Sequence, residues 1–421
     1  MEQLAKSRNI LCIDLKSFFA SVECVERQLD PFKTPLVVCD PNRNGAITLA
    51  VSPFLKKFGV KGRTRVYELP TNIDIIKVPP RMRLYQEKSK QVIDIYMNFV
   101  AAEDIHIYSI DEAFLDVTNY LHLYQKSDTE LAQDILKEIY EKTGLTATVG
   151  IGPNLLLAKV SMDIEAKHNS SNIAKWEYED IKTKLWSITP LSKMWGIGPR
   201  MEKRLQALGM YSVKDIATSD KNYLKAKFGV LGEELWYHAN GIDTSSVSEL
   251  NTQVAKDKSF SHSQVLFKDY YDHNIYLIII EMIELLCRRL RNHKMVTGLI
   301  GFGISYSKSI GGGFYHSIKL DTPTNDADVI YRTCMHIFDR YYQNKPIRKV
   351  SISIGHLKDD SFIQLTMFEP IEEIEDKNNI NRAIDEIKDR FGPNTILKAS
   401  SLLKDSTIKE RNLKIGGHNA E

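Results

Sequence analysis

From residue 10 to residue 166 the chain alternates short apolar runs with longer amphipathic stretches. Ile10 to Leu15 is an apolar run of strand length, and Phe18 to Glu23 opens a helical pattern. Leu36 to Cys39 and Ile47 to Val51 read as two more buried strands. Leu84 to Val100 has helical spacing. Ile105 to Ile110 and Ala113 to Val117 read as strands joined by a turn at Asp111-Glu112. Leu131 to Thr143 is an amphipathic helix, Thr146 to Ile151 a strand and Leu155 to Ala166 a helix. This mixture predicts an α+β domain with helices on one face of a sheet.

The texture changes near residue 190. Trp195-Gly196-Ile197-Gly198-Pro199-Arg200 is a Gly/Pro-rich hairpin between helical stretches. Gly241 to Gln253 is polar, without an apolar period, and reads as a linker. Beyond it come a strand (Lys258 to Val265), a helix (Asn274 to Asn292), two strands (Gly298 to Ser305, Phe314 to Leu320), a helix (Asp326 to Tyr342) and a strand (Lys349 to Gly355). That β-α-β-β-α-β order predicts a split-βαβ unit.

Composition adds limits. With 421 residues, 43% hydrophobic and 26% charged, the chain has the balance of a folded globular protein with two to four domains. A net charge of +2 excludes a histone-like binder. The charge is uneven, however: residues 1–250 balance, 251–360 carry +4 and 361–421 carry −2. A basic segment thus stands between a neutral body and an acidic tail. Five cysteines (Cys12, Cys24, Cys39, Cys287, Cys334) with no Cys-x-x-Cys pair fit a reduced, cytoplasmic protein, and neither a disulfide scaffold nor a thiolate zinc site is expected. No apolar run is long enough for a signal peptide or a membrane span.

Asp14 ends an apolar strand, and Asp111-Glu112 lies between two others. Adjacent acids cost free energy unless they stay solvated or meet a cation. A solvated hairpin turn and a corner binding two hard divalent ions both fit this pattern.

Asp14-Leu15-Lys16-Ser17-Phe18-Phe19-Ala20-Ser21-Val22-Glu23 and Ser109-Ile110-Asp111-Glu112-Ala113-Phe114-Leu115-Asp116 resemble the two metal-binding motifs of Y-family translesion DNA polymerases. Thr148-Val149-Gly150-Ile151-Gly152 followed by Leu157-Ala158-Lys159 resembles the next block, and the order and spacing match over nearly the whole chain, nearest the UmuC-like branch. The resemblance implies an error-prone, template-directed polymerase that transfers a nucleotide from a dNTP to a primer 3′-hydroxyl with two Mg2+ ions. Asp14, Asp111, Glu112 and the Leu15 carbonyl would hold the ions, with Asp111 and Glu112 catalytic. Phe18 and Phe19 fall at the nucleotide. Phe19 is the expected steric gate against a ribose 2′-hydroxyl, while the Phe18 side chain is expected to point into the core. Lys56 and Lys167 match positions that present cations to the triphosphate. Two departures stand out: Lys16 replaces a common Asp, and Pro53-Phe54-Leu55-Lys56 replaces a common Tyr-x-x-Arg, exchanging a forked guanidinium for a point charge.

The family's architecture is a multidomain right hand. It assigns a ferredoxin-like palm to residues 1–25 and 85–172, small fingers to 26–84 and a helical thumb with a helix–hairpin–helix to 173–240. A linker (241–253), a split-βαβ little finger (254–360) and a tail (361–421) follow. Gly196, Gly198 and Arg200 would approach a DNA phosphate through backbone N–H groups and charge. Lys256, Lys258 and Arg348 would grip the DNA backbone. Gln364-Leu365-Thr366-Met367-Phe368 resembles the peptide by which bacterial polymerases dock on the β sliding clamp, through Gln364, Leu365, Met367 and Phe368. SOS accessory proteins are further expected partners, and a membrane is not. Two other readings remain at this stage: a non-catalytic DNA- and clamp-binding accessory protein, and a nucleotide cyclase.

Overall fold

Strand β1 (Ile10–Leu15) shows no alternation because both its faces are covered; Ile10, Leu11, Cys12 and Ile13 are all buried. Helix α1 (Phe18–Glu26) follows a tight turn through Ser17, whose backbone is left-handed at φ 50°. The computed structural model describes residues 7–43, 45–252, 258–360 and 371–421. Two units result, Met1–Gln253 with His418–Glu421, and Val254–Gly417.

In the first unit, β2 (Leu36–Val38), β3 (Ala50–Val51) and β4 (Ile76–Val78) form a small sheet ordered β3-β2-β4. The strand expected from Ile47 shrinks to Ala50–Val51, since Ile47 makes only an isolated bridge to Arg65. Helix α2 (Pro53–Lys57) is started by Ser52, whose hydroxyl accepts from Leu55 N, with Pro53 in the first turn. The Pro53 departure thus builds a regular helix start.

Helix α3 (Met82–Tyr96) leads to β5 (Ile105–Ile107) and β6 (Glu112–Asp116). The first of these strands stops short of the expected Ile110, because Tyr108 and Ser109 both turn their N–H groups onto the Glu112 carbonyl. A short α4 (Leu121–Tyr124) precedes α5 (Asp128–Thr143), which opens on a Ser127/Glu130 capping box and ends at left-handed Gly144. Then come β7 (Ala147–Gly152), α6 (Leu155–Ile164) and β8 (Ile173–Lys175). The five strands order as β5-β6-β1-β7-β8, with β1 central and antiparallel to both neighbours. Helix α6 lies directly on β7: a Cβ on Gly150 would stand 2.0 Å from the Ala158 carbonyl oxygen.

Helices α7 (Pro199–Gln206), α8 (Val213–Thr218), α9 (Lys221–Phe228) and α10 (Val230–Ala239) surround their own apolar cluster, which includes Trp176, Leu185, Leu205 and Leu235. The polar stretch read as a linker contains α11 (Val247–Thr252). Val247 is fully buried beside Ile10 and Phe114, and Asn251 donates to the Ile105 carbonyl at 2.8 Å. One buried valine and one side-chain hydrogen bond escape a search for periodicity.

The second unit runs β9 (Phe260–Tyr270), α12 (Asp272–Asn292), β10 (Met295–Tyr306), β11 (Gly313–Thr324), α13 (Ala327–Tyr341) and β12 (Ile347–Asp359). Its sheet order is β11-β10-β12-β9, so β12 separates β9 from β10 and splits the βαβ unit. Ile300, Phe302, Ile304, Val350, Ile352 and Ile354 alternate inward to the core shared with the helices. The tail packs on α12, including residues from 380 onward, for which the sequence suggests a helical period at Ile380, Ile384, Ile387 and Phe391 but no role. Helix α14 (Ile371–Phe391) sets Asp385 against Arg291 at 2.7 Å; Lys398 reaches Glu284 at 2.7 Å; and Thr407 and Arg411, the latter on α15 (Ile408–Asn412), engage Glu281. In the first unit, the Ala420 carbonyl accepts from Arg83 N at the start of α3. No helix among the described residues is long and apolar enough to cross a membrane.

Candidate active site

Asp14 and Glu112 are far apart in sequence, yet they are cross-strand partners in the β1–β6 ladder. Leu15 N donates to the Asp111 carbonyl at 2.9 Å, which locks the turn carrying Asp111 onto the end of β1. The three acids therefore share one corner at the edge of the central strands. Burial pushes the Asp14 carboxyl up to about 6; Lys167 opposes that push, and Asp111 and Glu112 reinforce it. An acid held this far up binds a proton readily and gains when a cation arrives.

Two lysines from the α6 region meet this corner. Lys159 is buried and touches Glu112 at 2.7 Å and Asp163 at 3.1 Å. Lys167 reaches Asp163 at 2.8 Å and Asp14 at 3.3 Å. Burial works against the Lys167 charge, but Asp14 and Asp163 outweigh it and its pKa rises. Cys12 donates its thiol to Glu112 Oε1 at 3.3 Å, and Ser109 donates to Asp111 Oδ1 at 2.6 Å. Lys56, exposed on α2, has its pKa lowered by burial of its surroundings, while Asp14 pulls it up and Lys167 pushes it down. Its charge is thus felt by the same corner.

Asp14, Asp111 and Glu112 offer oxygen donors, which suit hard divalent cations rather than thiophilic ones. Among the described residues no group of three or more Asp, Glu, His or Cys side chains is gathered closely enough to hold a metal ion as the side chains stand. Lysines interleave with the acids and supply the counter-charge. Lys16 bonds its ammonium to the Asn172 side-chain oxygen; burial lowers its pKa and Asp14 pulls it back up.

Phe18 is 2% exposed within the core, so of the two phenylalanines only Phe19 keeps an accessible face. Its ring packs against buried Tyr85 with centroids 4.6 Å apart and the planes tilted by 30°. The Tyr85 hydroxyl donates to Glu23 at 2.6 Å, and Arg81 pairs with the same carboxylate at 2.7 Å.

In the Gly/Pro hairpin, Gly196 adopts φ 87°, a conformation a side chain would strain, and Gly198 caps α7. Both glycines and Arg200 are exposed. Trp195 anchors the hairpin, its ring edge-on to Tyr108 at 6.1 Å and stacked on His238 at 6.3 Å. In the second unit Lys258 is exposed, whereas Arg348 pairs with Asp269 at 3.1 Å. On the face of that sheet away from the helices, Gly301 and Gly303 lie opposite Ser353 and Ser351 and are covered by the ring of Tyr315, whose hydroxyl bonds to Ser353 at 2.5 Å. Lys256 and the four peptide residues Gln364, Leu365, Met367 and Phe368 lie outside the described residues.

Sequence reading passed over Asp163 and the partners of Lys159. The signal was present in the four-residue spacing of Lys159, Asp163 and Lys167, which places all three on one helical face.

Comparison with known proteins places three family models along the chain. The impB/mucB/samB family matches residues 13–163, its C-terminal domain residues 257–367, and the family's HHH motif residues 178–210. A Bacillus subtilis (strain 168) protein named for UV-damage repair, UvrX, is 39% identical over 98% of this chain and 97% of its own. The same organism's DNA polymerase IV 2 is 33% identical, covering 99% of this chain and 100% of its own. DNA polymerase IV of Pelotomaculum thermopropionicum is 33% identical over 96% of this chain and 97% of its own. Among solved structures, a Y-family DNA polymerase chimera of Dbh and Dpo4 superposes with a TM-score of 0.67 at 22% identity, over 85% of this chain and all of that one, a likeness of fold.

Proposed function

The chain belongs to the impB/mucB/samB family and is a Y-family DNA-directed DNA polymerase; on that premise we propose that it performs error-prone translesion synthesis by two-metal nucleotidyl transfer. The observation that carries the proposal is the pairing of Asp14 with Glu112 across β1 and β6, with Asp111 at the adjoining turn. Two bound Mg2+ ions would supply activation of the primer 3′-hydroxyl and stabilisation of the departing pyrophosphate oxygen. Asp14, Asp111, Glu112 and the Leu15 carbonyl hold them. Lys56 and Lys167 neutralise the triphosphate and orient it for in-line attack at the α-phosphate. The exposed face of Phe19 lies under the sugar and excludes a ribose by contact.

Residues 26–84 act as small fingers and 173–240 as a thumb, with 1–25 and 85–172 forming the palm between them. Gly196, Gly198 and Arg200 grip the primer-template backbone without reading bases. On the little finger, exposed Lys258 supplies charge to a phosphate backbone, and exposed Tyr315, which covers Gly301 and Gly303, supplies an aromatic surface and a hydroxyl. Arg348, already paired, contributes less than its charge suggests. Residues 364–368 dock on the β sliding clamp, and the enzyme works in the cytoplasm, in the SOS response and with its accessory proteins.

Primer extension with purified protein tests the metal assignment. Asp111→Ala and Glu112→Ala lose extension while keeping DNA affinity in a gel-shift assay. Extension at the wild-type rate in either variant would remove the two-metal reading. Lesion-bearing templates, with and without clamp, then test the bypass and docking parts.

A further inference from the structure

The lysines at the corner pose a problem of charge. Lys159 touches Glu112 and Lys167 touches Asp14, so each stands on a carboxylate proposed to hold a metal ion. A lysine that closes fully on such an acid competes with the ion for the same oxygens. One residue is a partner to both lysines. Asp163 sits one helical turn after Lys159 and one turn before Lys167, and its two oxygens are divided between them, Oδ2 to Lys159 at 3.1 Å and Oδ1 to Lys167 at 2.8 Å. Lys167 is closer to Asp163 than to Asp14, whereas Lys159 stands on both Glu112 oxygens, at 2.7 and 2.8 Å, and reaches Asp163 as a third, longer contact. The result is an alternating chain, Glu112–Lys159–Asp163–Lys167–Asp14, arched over the corner. Its middle acid has no other cation partner among the described contacts and lies outside the three carboxylates of the metal reading.

We propose that Asp163 is a positioning residue that draws Lys167 back from Asp14 and shares the charge of Lys159 with Glu112, and so sets how readily that corner accepts divalent cations. The inference rests on the metal reading above. Neutralising Asp163 acts in one direction by two routes. Each lysine is left with a single acidic partner, which it then holds more tightly, and two positive charges near the ion site lose their screen. Both routes weaken cation binding. The side chain is 30% exposed, so the effect is that of a partly screened pair, roughly threefold to tenfold in affinity.

The experiment titrates Mn2+ into the full chain without DNA or nucleotide and follows free Mn2+ by electron paramagnetic resonance. Asp14→Asn and Glu112→Gln test the underlying reading and should lose binding. Asp163→Asn should bind threefold to tenfold more weakly, with Asp163→Glu close to wild type. Asp163→Asn combined with Lys167→Met should recover affinity, because the surplus charge is removed; a merely structural role for Asp163 gives no such recovery. The Mg2+ concentration for half-maximal primer extension should rise in parallel in Asp163→Asn. Wild-type affinity in Asp163→Asn, with binding lost in Asp14→Asn, overturns the role of Asp163 and leaves the metal reading standing. Wild-type affinity in both Asp14→Asn and Glu112→Gln overturns the metal reading itself. Melting temperatures without Mn2+ show that each variant is folded, and if Asp163→Asn fails to fold, Asp163→Ser takes its place with the same expected weakening.

Discussion

At the scale of single residues, the site works by surrounding a few side chains with enforced neighbours. Phe19 illustrates this. A ring that excludes a hydroxyl by contact discriminates only as far as it resists moving aside, and Phe19 rests on Tyr85, which is itself tied to buried Glu23. Phe19→Ala should therefore raise ribonucleotide relative to deoxyribonucleotide incorporation by about tenfold or more, the scale on which pocket shape discriminates. Competition between the two nucleotides in single-turnover extension measures it, and an unchanged ratio would remove Phe19 from that role. The Lys16 ammonium, at the position of the family's common Asp, bonds to the Asn172 side-chain oxygen and still feels the charge of Asp14.

At the scale of elements, the seat of α6 on β7 decides where Lys159 and Asp163 stand. Gly150 and Gly152 make that seat possible, since a Cβ at either would fall within 2.5 Å of α6 backbone atoms. Gly150→Ala is expected to cost about 1–3 kcal/mol through overpacking. It should also slow extension by displacing the lysines. Urea denaturation with parallel kinetics checks both, and a variant with wild-type stability would show that α6 can shift without cost. Much of this scale was legible in the sequence. The capping boxes and αL glycine mark α5 cleanly, and the β-α-β-β-α-β order was read correctly because its helices are long and strongly amphipathic. Helix α11 and the packing of residues 371–417 were not legible, because they depend on one buried valine and on ion pairs with distant partners.

At the scale of the whole molecule, charge and pH govern behaviour. The +4 carried by residues 251–360 predicts DNA binding that weakens by roughly tenfold or more between 50 and 200 mM salt, through counterion release. Fluorescence anisotropy across that range tests it, and a flat response would exclude a phosphate-gripping role. Stability depends on pH through His262 of β9, whose pKa burial, helped by Arg411, depresses to about 4. The folded protein resists a proton that the unfolded chain accepts near 6.5, so stability is complete above that value and falls as pH drops toward 4. Thermal melts of wild type and His262→Gln from pH 7.5 to 4.5 should show a smaller loss in the variant, and equal losses would refute the assignment.

What the amino-acid order determined by itself was local: motif identity, helix caps, the periodicity that names each element, and the family to which the blocks belong. Tertiary structure alone decided which acids meet and which cations stand on them. Asp14 faces Glu112 through strand register, and α6, seated on β7, carries Lys159 onto Glu112. Spacing along a chain specifies neighbours within a turn or a strand, whereas the energy of a charge depends on what the fold brings beside it from elsewhere.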